Sequence, residues 1–125
     1  MERWHLPTVA ASGKRDPQVL FSGAGARGVV IDLRAGEEMG EHSVKERAIV
    51  AVVSGTVDFD AGGQTTSCEA GTLVVFAPAE RHAVRATTEA RLLLVLAPWP
   101  ATDHYRDDRH HDASQMPANA TAPPL

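Results

Sequence analysis

Between residues 29 and 96 the chain never stays apolar for long before a turn residue interrupts it, and that rhythm excludes most folds. Short runs at 29–33, 48–53, 56–59, 64–67, 73–76, 83–86 and 92–96 are broken by Arg34-Ala35-Gly36, Ser54-Gly55, Asp60-Ala61-Gly62-Gly63 and similar punctuation. Runs of about four to six residues suit β-strands, whereas a globular helix needs roughly ten or more. Strands this short, with turns this frequent, predict an antiparallel sandwich or barrel.

The runs 49–53, 73–76 and 92–96 show no polar alternation, so the second face of these strands must also be covered. The cover is either the N-terminal segment around Val19-Leu20-Phe21 or another copy of the chain. An isologous homodimer is the economical expectation. The expected organisation is an N-terminal arm over residues 1–18, a β-barrel over 19–100 and a flexible C-terminal tail over 101–125. The tail is rich in Ala, Asp, His and Pro and poor in core formers, with at most a turn of helix near 105–109. Trp99 is expected to cap the barrel mouth or the last strand.

At 125 residues the chain suffices for one domain with a real core. Aromatic residues make up only 5%, so that core must rest on Val, Leu, Ala and Ile. Net charge is −4 with both signs well mixed, and no basic stripe advertises nucleic acid. Cys68 is the single cysteine, which excludes an intrachain disulfide; a small filler near a strand end is the expected role. The opening residues MERWHLPTV lack the apolar run of a signal peptide, and no run approaches the ~20 residues that span a bilayer. A cytoplasmic protein without membrane contact is expected.

Two stretches carry the candidate chemistry: GEEMGEHSVKERAIVAVVSG at residues 36–55 and GTLVVFAPAERH at 71–82, each delivering one histidine, His42 and His82. They resemble the two motifs of the cupin superfamily, and the chain is similar to a small single-domain cupin of the cupin-2-like kind. The first family motif runs Gly, five residues, His, one, His, three or four, Glu, six, Gly. Gly36, His42 and Gly55 match it, while Val44 stands at the second histidine and Ala48 at the glutamate. In the second motif Gly71 and His82 match; Pro78 falls one residue late, Ala79 stands at the glycine and Ala86 at the terminal asparagine. The resemblance covers residues 29–96. It implies an all-β, single-domain jelly-roll barrel, a double-stranded β-helix, with motif histidines facing inward. It further implies either a small organic ligand in the pocket, an anionic one among the options, or a metal-dependent oxygenase- or isomerase-type enzyme using iron, manganese, nickel or zinc.

The substitutions matter chemically. In the family's own site, residues two apart on a strand stand about 6.6 Å apart on one face, so a His-x-His pair can grip one ion. With only His42 and His82 inherited, the three protein ligands usual for a catalytic metal are not reached. Glu46 shares the strand parity of both His42 and Ala48 and could restore a two-histidine, one-carboxylate triad of the kind that suits iron(II). Four extended residues span about 13 Å, so this requires a bend between Val44 and Arg47. The alternatives are a surface glutamate in the charged turn Lys45-Glu46-Arg47, or an inward one that meets ligand without metal. Without metal, the two imidazoles could serve as acid and base. Some cupin-type epimerases pair His with Tyr, but the single tyrosine here is Tyr105, in the tail.

Arg81, in the loop before His82, is the candidate to meet an anionic ligand, whereas alternation turns Arg85 to the strand exterior. Gly23-Ala24-Gly25-Ala26-Arg27-Gly28 matches a dinucleotide fingerprint by letter. A strand rather than a helix follows it, so it reads as a glycine-rich turn. His104, His110 and His111 form a weak tail cluster that would scavenge metal nonspecifically.

Overall fold

The computed structural model of the chain describes residues 1–10 and 17–100, and the backbone alone of Glu41 and His42. The tail of residues 101–125, with Tyr105 and its histidines, lies outside the described residues.

The described residues form nine strands and no helix: β1 (Gln18–Gly23), β2 (Ala26–Leu33), β3 (Glu38–His42), β4 (Arg47–Ser54), β5 (Thr56–Ala61), β6 (Gln64–Glu69), β7 (Leu73–Phe76), β8 (His82–Ala86) and β9 (Ala90–Ala97). Two sheets result, a five-stranded one ordered β1-β2-β9-β4-β7 and a four-stranded one ordered β3-β8-β5-β6, with all the described pairings antiparallel. This is the expected all-β jelly-roll barrel.

Alternation builds the interior. Along β9, Ala90, Leu92, Leu94 and Leu96 are buried while Arg91, Leu93, Val95 and Ala97 are half-buried. The inward residues of β2 (Val29, Ile31, Leu33), β4 (Ala48, Val50, Val52), β5 (Val57, Phe59) and β8 (Val84, Ala86) join them in one cluster. Cys68 packs into the same cluster as a filler, and burial together with nearby Asp58 pushes its thiol pKa up. Gly55, at the β4–β5 turn, has a φ of +77°, and a Cβ there would collide with the Glu89 carbonyl oxygen.

Two strands differ from expectation. The segment 19–21 was one of two candidates to cover a sheet face, but it lies within β1 and extends the sheet edge instead. β3 carries a single large apolar residue, Met39, so no apolar run announced it. It is an edge strand whose register shifts between Met39 and His42. The glycine-rich stretch is, as read, the β1–β2 turn, with Gly23 paired to Ala26.

The outer faces of the two sheets contrast. That of the four-stranded sheet is polar, carrying Glu38, Arg85, Asp58, Asp60, Thr65 and Ser67 in register. That of the five-stranded sheet is apolar, carrying Val30, Leu93, Val95, Ile49, Ala51, Leu73 and Val75. The N-terminal arm covers part of it. Arg91 Nη1 donates to the carbonyls of Leu6 and Val9, both at 2.8 Å, while its Nε and Nη2 grip Asp32 at 2.7 and 2.9 Å. Trp4 stacks on Phe21. The β7 side stays open, with Leu73 63% and Val75 49% exposed.

Candidate functional site

Strand register draws a belt around one end of the barrel. On the larger sheet, Arg27 of β2 pairs with Leu96 of β9, Leu96 with Ala48 of β4, and Ala48 with Phe76 of β7. On the smaller sheet, His82 of β8 lies between His42 of β3 and Ala61 of β5. The belt closes between the sheets where the Phe76 ring stacks on the His82 imidazole, centroids 4.0 Å apart. Thus the two motif histidines, forty positions apart in sequence, are direct partners in one ladder. The side chain of His42 lies outside the described residues.

His82 is buried and its tautomer is constrained. Nδ1 lies 3.1 Å from the Glu80 carbonyl, which can only accept, so Nδ1 carries the proton. In the neutral ring Nε2 then holds the lone pair, the arrangement that orients a metal-binding or base-acting imidazole.

The turn that supplies this carbonyl is built by Ala77-Pro78-Ala79-Glu80. The Glu80 amide donates to the Ala77 carbonyl at 3.0 Å, and Glu80 Oε1 accepts from the Ala77 amide at 2.9 Å. Ala79 takes a φ of +67°, a left-handed conformation that the third position of a type II turn demands and that glycine fills without strain. Its amide donates to the Val44 carbonyl at 2.7 Å, joining the second motif to the first.

Glu46 lies in the bend between β3 and β4. It is 0% exposed, with Arg47 exposed and Ala48 buried after it. It is therefore not the surface member of a charged turn: it shares the inward parity of Ala48, one step beyond the belt. Buried His82 and buried Glu46 supply an imidazole and a carboxylate, donors suited to a divalent transition metal. Among the described residues, no group of three or more His, Cys, Asp or Glu stands close enough to hold a metal ion.

Arg81 is exposed in the β7–β8 connection, and Arg85 is exposed on the outer face opposite Glu38 and Asp58. Sequence reading missed Arg27 because it began the strand at Val29. Three steps of alternation back from Leu33 would have placed this charge on the core-facing side. It also missed Glu80, whose contribution is a backbone carbonyl and so carries no residue-type signal.

None of the curated proteins matches this chain in sequence. Solved structures do match its shape. An uncharacterised conserved protein with a double-stranded β-helix domain from Klebsiella pneumoniae superposes with a TM-score of 0.70 at 19% identity, covering 81% of this chain and 93% of that one. An RmlC-like cupin protein from Desulfovibrio desulfuricans gives 0.69 at 21% identity, covering 78% and 97%. A conserved protein of unknown function from Streptococcus pyogenes gives 0.64 at 24% identity, covering 73% and 80%. These likenesses speak for the fold. The family model for the cupin domain matches residues 29–97, more than half of the chain and the whole of the belt's larger sheet from β9 to β7. Sequence model, strand order and motif histidines agree, and the chain belongs to the cupin domain family.

Proposed function

We propose that this cupin binds a small organic molecule at the barrel mouth, with His42, His82 and Glu46 as its polar contacts. The observation that carries the reading is the complete burial of Glu46 beside the His82 belt. Fully enclosed carboxylates are rare on a barrel wall, and they concentrate where a ligand is bound. The stacked Phe76 ring and the Glu80 carbonyl leave His82 with one orientation, and a preorganised site loses little entropy on binding. Catalysis is not required by this reading.

The test is a thermal-shift screen of small organic acids and their neutral analogues against the wild type, Glu46→Gln and His82→Ala. Compounds that raise the wild-type melting temperature and lose that effect in both variants support the proposal. Equal shifts in all three proteins place binding elsewhere.

A second reading has the same residues hold iron, manganese, nickel or zinc. It is favoured by the His82 tautomer, since a carbonyl on Nδ1 presents Nε2 as donor. Bound metal would supply Lewis acidity there, and Glu46 and the two histidines would be its protein ligands. Elemental analysis of the full chain carrying His104, His110 and His111→Gln tests it. About one metal per chain, lost on His42→Ala or Glu46→Gln, supports this reading, and metal-free protein after loading and desalting removes it.

A further inference from the structure

Arg27 stands on the wrong side of its strand for a solvated arginine. It shares parity with Val29, Ile31 and Leu33, all in the interior cluster, and its ladder partner Leu96 is 1% exposed. It therefore ends the inward face of β2 in the belt that leads through Ala48 and Phe76 to His82. Its guanidinium carbon lies 4.8 Å from the centre of the Trp99 ring, and Nη1 donates to Ser22 Oγ at 3.2 Å. Trp99 is itself packed against the interior cluster.

Other arginines are accounted for differently. Arg91 is consumed by Asp32 and two carbonyls, and Arg85 faces outward opposite two carboxylates. Among the described residues Arg27 has no carboxylate partner. A guanidinium held over an indole has its planar fork partly preorganised, and the natural complement of that fork is a carboxylate.

We propose that Arg27, braced by Trp99, is the carboxylate-recognising residue of the barrel mouth, and that the ligand is a small carboxylic acid bridging from Arg27 toward His82. Three strand spacings of about 4.8 Å separate β2 from β7 along the sheet. That is about 14 Å of sheet, and once the inward reach of the Arg27 and His82 side chains is taken off, the remaining gap suits an acid with a short carbon skeleton rather than a single inorganic anion. This inference rests on the reading of the mouth as a small-molecule site. It assigns the anionic end to Arg27 in place of the exposed Arg81.

The test uses Trp99 emission in the full chain carrying Trp4→Phe, which leaves Trp99 as the single tryptophan. The probes are linear mono- and dicarboxylates of two to six carbons and the corresponding amides. Carboxylates are expected to bind and change the emission, and the amides to bind more weakly. Arg27→Gln should weaken the acids by about tenfold to a hundredfold and leave the amides unchanged, because a hydrogen bond to a charged partner is lost. Arg27→Lys, which keeps charge without the fork, should fall between. Should Arg27→Gln, folded by circular dichroism, bind acids as the parent does while His82→Ala does not, Arg27 is overturned and the site reading survives. If neither variant alters binding, both are overturned; if no acid binds the parent, the Arg27 assignment is overturned and the thermal-shift screen alone decides the site reading.

Discussion

The His82 imidazole lies face to face with the Phe76 ring, centroids 4.0 Å apart and planes 5° from parallel. Phe76 is 3% exposed and in turn packs at a tilt on Phe59, so the imidazole rests on a rigid aromatic floor. Phe76→Leu keeps most of the volume and removes the stack. It is expected to cost about 1–2 kcal/mol and to shift the His82 ring-proton resonances downfield as the ring current disappears. Unchanged resonances would mean that the two rings do not stack in solution.

Ala79→Gly should stabilise the protein. An L-residue in the left-handed region costs about 1–2 kcal/mol, and glycine returns part of the gain as unfolded-chain entropy. The net expectation is about 0.5–1 kcal/mol, seen as a melting temperature higher by a few degrees. A lower melting temperature would show that the turn carries no strain at Ala79.

Gly55→Ala should do the reverse. The substitution meets both an unfavourable φ and the Glu89 backbone, which cannot swing aside as a side chain can. A loss of at least about 2 kcal/mol in urea unfolding is expected.

Arg91 is the clasp of the N-terminal arm, and its bond to Asp32 raises its own pKa further above the neutral range. Arg91→Ala should release residues 1–10 while leaving the barrel folded. The expected signature is a loss of about 1–3 kcal/mol and faster chymotryptic cleavage after Trp4. Cleavage at the wild-type rate would show that the arm is fixed by other contacts.

For the open apolar strip of Ile49, Ala51, Leu73 and Val75 we propose a second copy of the chain as the cover. Residues 101–125 offer only Tyr105, Met116 and Leu125 as large apolar groups, too few to cover it from within the chain. Sedimentation of the wild type should give a dimer, and Leu73→Lys with Val75→Lys should give the 13.3 kDa monomer. A wild-type monomer would contradict the proposal.

Strands whose inward residues are Val, Leu or Ile announced themselves, because burial on one or both faces leaves a continuous apolar run: β2, β4, β7 and β9 were all legible. β3 was not, since an edge strand with a register shift needs only Met39 to hold it against the core. The two histidines were legible through family spacing, and their pairing in one ladder follows from the strand order, which no local pattern encodes. Glu46 left three readings open because parity along a strand says nothing about a bend. Its burial depends on how the β3–β4 turn docks against Ala79, a contact between segments thirty-five positions apart. Arg27 was hidden by its own charge, which conventional patterning assigns to solvent.

The position of β9 has a consequence for biosynthesis. It is the last of the described strands in sequence, yet it lies between β2 and β4, and it also carries the clasp for an arm whose Leu6 is 85 residues upstream. Until Ala90 to Ala97 leave the ribosome, the larger sheet exists as two unjoined ribbons with open edges, and the first ten residues have nowhere to dock. Closure of this barrel must therefore wait until β9 has emerged, which makes the chain most exposed to chaperones and proteases just before that strand arrives.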